Sequence, residues 1–113
     1  MINNNANLTD VTVLNAGTTS RTVRGVYEYG DAESITIYAP ATLPEAGTIQ
    51  VNDKDDGSGN WVTLQIAGAD ATPPAAGKAK TFGRELTTVN AWRIVLAVVA
   101  ADRTFKVTKQ WST

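Results

Sequence analysis

The sequence predicts an all-β protein: a single antiparallel β-sandwich of about eight strands, jelly-roll or immunoglobulin-like, behind a short N-terminal arm. Three observations carry this expectation. Short runs alternate apolar and polar residues with period two and recur at close intervals. Gly, Pro, Asn and Asp punctuate those runs, and none of Pro40, Pro44, Pro73 and Pro74 interrupts one, as a hydrogen-bonded ladder requires. No window holds the i, i+3, i+4, i+7 apolar stripe of an amphipathic helix. Closely spaced strands without crossover helices give a sandwich or a barrel.

The elements follow in order. Asn3, Asn4, Asn5 and Asn7 favour turns and coil, so residues 1–8 read as an arm, either a frayed terminus or a segment that docks on a neighbour through Ile2 and Leu8, and residues 9–113 as the β domain. Val11 and Val13 alternate with Thr12, and Ala16 with Asn15. Val23, Gly25 and Tyr27 alternate with Arg24, Val26 and Glu28. Ile35, Ile37 and Ala39 alternate with Thr36 and Tyr38. Ile49 and Val51 alternate with Thr48 and Gln50. Val62, Leu64 and Ile66 alternate with Trp61, Thr63 and Gln65. A strand through Lys78, Ala79, Lys80, Thr81 and Phe82 follows, then a longer apolar run over residues 91–99. Phe105, Val107 and Lys109, alternating with Thr104, Lys106 and Thr108, form the last strand. The β-branched Val and Thr that fill these runs suit a pleated surface. A short turn over residues 84–90 is the one helical reading the sequence leaves open.

Composition narrows the chemistry. At 113 residues the chain is long enough for one domain with its own core, and with no cysteine no disulfide supports it. With no histidine and no cysteine, Ser-His-Asp and Cys-His catalysis and thiolate or imidazole zinc sites are excluded. A net charge of -1 lacks the basic balance of a nucleic-acid binder. The start lacks the basic and apolar regions of a signal peptide, and the longest apolar run, residues 94–101, is far short of a membrane span. No enzyme, cofactor, membrane or nucleic-acid role is expected.

The candidate motifs stay structural. Asp53, Asp55 and Asp56 invite a Ca²⁺ reading, but Ser58 and Leu64 stand where an EF-hand needs Gly and Glu, so the segment reads first as a hairpin tip. Glu28, Glu33, Glu45 and Glu85 share no motif that would pair them for glycoside hydrolysis. Gly57-Ser58-Gly59 and Ala76-Gly77-Lys78 lack phosphate-loop spacing. Tyr27 and Tyr29 would share a strand face, as a rim of the core or as a small sugar-stacking platform. Residues 1–77 carry three bases against nine acids, and residues 78–113 seven bases against two acids. Either neighbouring strands balance each other, or the last strands form a basic edge for an acidic partner.

Three stretches carry a resemblance. The first joins Gly47-Thr48-Ile49-Gln50-Val51 to Asp56-Gly57-Ser58-Gly59-Asn60-Trp61-Val62-Thr63-Leu64-Gln65. The second is Pro74-Ala75-Ala76-Gly77-Lys78-Ala79-Lys80-Thr81-Phe82. The third joins Trp92-Arg93-Ile94-Val95-Leu96 to Ala101-Asp102-Arg103-Thr104-Phe105. Over residues 47–109 the chain resembles the small β-sandwich proteins encoded among the head genes of tailed bacteriophages. The resemblance implies a virion structural protein, most simply a capsid decoration or cement protein. Such proteins are β-rich, non-enzymatic and often trimeric or dimeric, and they sit on the capsid exterior over joints between major capsid subunits. A tail-fibre or baseplate domain and a carbohydrate-binding module are the alternatives. The residues expected at a capsid or subunit interface are Ile2 and Leu8 of the arm and Lys109 and Trp111 at the C-terminal strand end.

Overall fold

The computed structural model describes residues 8–111. Its elements run β1 (Leu8–Val13), α1 (Gly25–Tyr29), β2 (Ser34–Tyr38), β3 (Gly47–Asn52), β4 (Trp61–Thr63), β5 (Gln65–Ile66), β6 (Ala69–Asp70), β7 (Ala79–Phe82), α2 (Arg84–Thr87), β8 (Ala91–Leu96) and β9 (Arg103–Gln110). The chain is mostly β and its strand pairs are antiparallel. The strands lie in several small sheets. They divide into a four-stranded sheet ordered β1-β9-β2-β7, a three-stranded sheet ordered β4-β3-β8, and the β5-β6 ribbon.

Period two decides which side chains the two larger sheets share. Val11 and Val13 of β1, Phe105 and Val107 of β9, Ile35 and Ile37 of β2, and Phe82 of β7 line one inner face. Ile49 of β3 and Trp92, Ile94 and Leu96 of β8 line the other, and all belong to one buried cluster. Tyr29 of α1 and Leu86 of α2, both fully buried, complete it. The outer face of the four-stranded sheet is rich in threonine, with Thr12 bonded to Thr104 at 3.0 Å and Thr36 to Thr81 at 2.9 Å.

The irregular stretch over residues 18–23 joins the two sheets at one side. Ser20 bridges Val13 of β1, while Thr19 and Val23 bridge Val95 and Trp92 of β8. The Ser20 amide donates to Ile94 O at 2.9 Å, and its hydroxyl accepts from the Ile94 amide at 2.9 Å. These bonds satisfy edge groups of β8 that would otherwise be open to another strand.

Four local expectations are corrected. Leu8, read as arm, is the first residue of β1 and pairs with Thr108. The alternating run from Val23 does not continue as a strand; the chain coils into α1 at Gly25. A Cβ there would lie 2.5 Å from the Val89 carbonyl oxygen and 2.8 Å from that of Leu86, so only glycine permits this approach. The Glu28 carboxylate accepts the Arg24 amide at 2.8 Å and holds the turn's start. Gly25 and Tyr29, four residues apart, are buried, while Val26 and Tyr27 are exposed. The run from Trp61 to Ile66 also breaks. The Leu64 amide donates to Ile49 O, and the Ile49 amide to Ala71 O, both at 2.9 Å. Between Leu64 and Ala71 the chain runs out and back as β5-β6, reversing at Ala67 (φ 54°) and Gly68 (φ 83°). The run over residues 91–99 ends as strand at Leu96, and Val98 is 67% exposed. The helical turn that the sequence left open is α2.

The uneven charge is balanced between strands. Three bases of β9 meet three acids of the first half: Arg103 pairs with Glu45 at 3.0 Å, Lys106 with Asp10 at 3.1 Å, and Lys109 with Asp31 at 3.0 Å. The expected basic edge is thereby largely neutralised within the chain.

Candidate functional site

The strongest candidate is the solvent face of the three-stranded sheet. Because Ile49, Trp92 and Ile94 turn inward, the alternate residues Thr48, Gln50, Arg93 and Val95 turn out. Gln50 and Arg93 are cross-strand partners in the β3-β8 register. Gln50 Oε1 accepts both Arg93 Nε at 2.9 Å and Arg93 Nη2 at 2.7 Å. The guanidinium carbon lies 4.2 Å from the ring centroid of Trp61 on β4, a stacking contact that fixes the side chain's plane. Arg93 and Trp61 are both half-buried. No acid pairs with Arg93 among the described residues, unlike Arg21, Arg24 and Arg103. Burial therefore lowers its pKa from the ordinary arginine value with no carboxylate to oppose the shift. A shallow depression of about 360 Å³, lined in part by Gly47, Thr48, Val95 and Ala97, adjoins it on the same two strands.

The loop over residues 53–60 frames the Trp61 end of this face. Asn52 is buried and its amide organises the loop. Its Oδ1 accepts the Lys54 amide at 2.9 Å and the Gly59 amide at 3.1 Å, and its Nδ2 donates to Gly57 O at 3.1 Å. Gly57 sits at φ 78°, and a Cβ there would meet the Trp61 ring at 2.9 Å. Two of the loop's three acids are engaged within the chain. Asp55 pairs with Arg24 at 2.8 Å, and Asp56 Oδ1 accepts the Ser58 amide at 3.0 Å. Hydrogen bonds from Ser58, first its side chain and then its backbone, hold the Asp56 carboxyl below its ordinary range. Among the described residues no three such side chains converge as metal ligands would.

The other sequence candidates are scattered. Glu28 pairs with Arg21 at 3.0 Å, Glu85 Oε1 accepts the Gly83 amide at 2.7 Å, and the Glu33 amide donates to Gln110 O at 3.0 Å. Tyr27 and Tyr29 do not share a face. Tyr27 is 76% exposed under the Arg24 guanidinium, whereas Tyr29 is fully buried with its hydroxyl bonded to Thr9. The turn of α1 separates them, so the sugar platform they would have formed is absent. A cavity of about 470 Å³ beside β4, lined by Val51, Val62 and Val89 with Asn60 and Asn90 at its rim, holds no paired titratable groups.

Of the interface residues read from the sequence, Ile2 lies outside the described residues. Leu8 is 39% exposed on the outer face of the four-stranded sheet. Lys109 lies on the opposite parity and is held by Asp31, whose carboxyl is kept below its ordinary range by Lys109 first and, in smaller part, by Trp111. Trp111 is half-buried there. Leu8, Lys109 and Trp111 therefore do not form one surface. The sequence reading passed over Arg93 because it sat inside an apolar run. Its polarity at the parity opposite Trp92 and Ile94 was the only local signal.

A buried ion pair braces the fold away from this face. Arg103 and Glu45, 10% and 9% exposed, meet through two hydrogen bonds of 3.0 and 3.1 Å. Arg103 holds the Glu45 carboxyl below its ordinary 4.5, against a smaller opposing effect of burial. A carboxyl lowered in the folded state contributes stability that is fully present above its unfolded pKa and is lost as pH falls through the folded value. The melting temperature is expected to stay level above about pH 5 and to drop in more acid solution. Glu45→Gln should make that acid limb shallower in melting curves taken across pH, and an unchanged limb would show that the pair does not govern it.

No helix among the described residues is long and apolar enough to cross a membrane. Comparison with known protein families, curated proteins and solved structures finds no match for the chain.

Proposed function

We propose that the chain is a virion structural protein: a capsid decoration or cement protein that binds the assembled major capsid lattice on its exterior and stabilises it. The observation that carries the reading is the Trp61–Arg93 face. Trp and Arg are the residues on which protein contacts most often depend, and here they stand preorganised and half-exposed on the outer face of the three-stranded sheet. The motif resemblance over residues 47–109 supplies the capsid context. The carboxylates of Glu28, Glu45, Asp55, Asp56 and Glu85 are each engaged in an ion pair or a loop bond, which favours a binding role over a catalytic one.

The physical action would be mass action. A protein that binds only the assembled, expanded lattice stabilises it by RT ln(1 + [L]/Kd) per site, and many copies add. Lattice symmetry would set the copy number and favour a homotrimer or homodimer assembled in the host cytoplasm. Cosedimentation with expanded, undecorated heads of the encoding phage, beside unexpanded heads, tests this. Saturable pelleting with expanded heads alone is expected. Absence of pelleting with either form would refute the capsid reading and favour a tail-fibre or baseplate part.

A further inference from the structure

We infer that Arg93, stacked on Trp61 and oriented by Gln50, is the receptor for a carboxylate side chain presented by the protein's binding partner. The inference deepens the lattice-binding reading and rests on it, by naming the chemistry that this face recognises.

Among the described arginines, Arg93 combines partial burial with the absence of a carboxylate partner within the chain. Arg21, Arg24 and Arg103 each meet a carboxylate within the chain, and Arg84 reaches the Ala32 carbonyl from an exposed position. Arg93 is half-buried, and its polar partner is the neutral amide of Gln50. Gln50 takes Nε and Nη2, and Nη1 has no partner among the described residues. The stack on Trp61 and the two bonds to Gln50 lock the fork before any partner arrives, so little side-chain entropy remains to be lost on binding. A partly desolvated cation without a carboxylate partner gains when an opposite charge meets it. That charge complementarity selects an acidic side chain. The shallow depression of Gly47, Thr48, Val95 and Ala97 has room on that side of Arg93 for part of an extended segment carrying the acid, but not for a deeply buried small molecule. Gly57 makes the close approach to Trp61 possible, so the loop is part of the receptor's support.

The direct test is a side-chain NMR titration of the whole wild-type chain with N-acetyl-glutamate amide and, separately, with N-acetyl-glutamine amide. Saturable shifts at Arg93 Nε–H and the Trp61 indole N–H are expected with the glutamate compound and not with the glutamine one. An Arg93 response no larger than that of exposed Arg84 would overturn the inference. The second arm uses lattice binding. Arg93→Gln should bind expanded heads at least about tenfold more weakly than wild type while melting at a similar temperature. Arg93→Lys should recover only part of the affinity, because an ammonium lacks the stacked planar fork. Full-strength pelleting of Arg93→Gln would refute the carboxylate site and leave the lattice reading standing. Failure of wild type to pellet, with the glutamate shifts intact, would refute the lattice reading and leave the carboxylate site standing. The titration needs no variant, so a misfolded substitution does not affect it.

Discussion

Trp92→Ala is expected to cost about 3–5 kcal/mol of folding stability, the usual range for removing a large aromatic from a packed core. Trp92 is fully buried on β8, an outer strand of the three-stranded sheet, with its side chain in the shared core. Its ring centroid lies 6.4 Å from that of Tyr29, so it ties the sheet to α1. Its backbone also exchanges two 2.8 Å hydrogen bonds with Val23, which anchors the stretch that joins the two sheets. The cavity left by alanine would border Tyr29, Ile94 and both sheets, and collapse could fill it only by moving all of them. Urea unfolding monitored by circular dichroism measures the loss, and a cost below about 1 kcal/mol would contradict the central packing described here. A second substitution separates packing from polarity. The Trp92 indole nitrogen is buried without a hydrogen-bond partner. Trp92→Phe removes that unsatisfied donor while keeping most of the ring, so it should cost clearly less than Trp92→Ala.

Asn52→Ala carries the second large effect, of roughly 2–3 kcal/mol, because about 1 kcal/mol goes with each of its hydrogen bonds and the groups left behind lose their partners. Asn52 is 4% exposed and serves Lys54, Gly57 and Gly59 at once. Without it the loop over residues 53–60 keeps only the internal Asp56–Ser58 and Gly57–Lys54 bonds, and Gly57 is less firmly held against the Trp61 ring. Denaturant unfolding gives the stability term. Amide hydrogen exchange locates it: protection should fall at Lys54 and Gly59 far more than in β9. Asn52→Asp keeps the acceptor, loses the donor to Gly57 O and adds a charge beside Asp53, so an intermediate loss is expected. If exchange at Lys54 and Gly59 is unchanged in Asn52→Ala, the amide is not what organises the loop. The same variant should broaden the Trp61 indole resonance, because loop and docking face share that ring.

The strands were legible where one face is buried and the other wet. Val11 and Val13, Ile35 and Ile37, and Phe105 and Val107 alternate with polar residues in sequence and line the core in the fold. The hairpin tip between β3 and β4 was equally plain, because its aspartates and glycines favour no ladder. Residues around Gly25 misled the same reasoning. One helical turn is too short to show a period, so Val23, Gly25 and Tyr27 looked like strand. What decided against it was the contact of Gly25 with Val89 and Leu86, more than sixty positions along the chain. Ala67 offered no turn signal either, yet it lies at positive φ because the bonds of Ile49 force the chain to reverse there.

By itself the sequence determined the class of the protein: β-branched alternation, turn residues between runs, and a composition without thiols or imidazoles. Those properties are local, and each run carries its own record of which face meets water. The tertiary structure alone decided how the strands divide into sheets, which acid of the first half meets which base of β9, and that Arg93 meets Trp61 and Gln50 instead of a carboxylate. Pairing and register join residues distant along the chain, and every outward-facing polar residue carries the same local pattern until its cross-strand neighbours are in place. The charge left without a carboxylate once the strands have found their partners is what singles out the face proposed for docking.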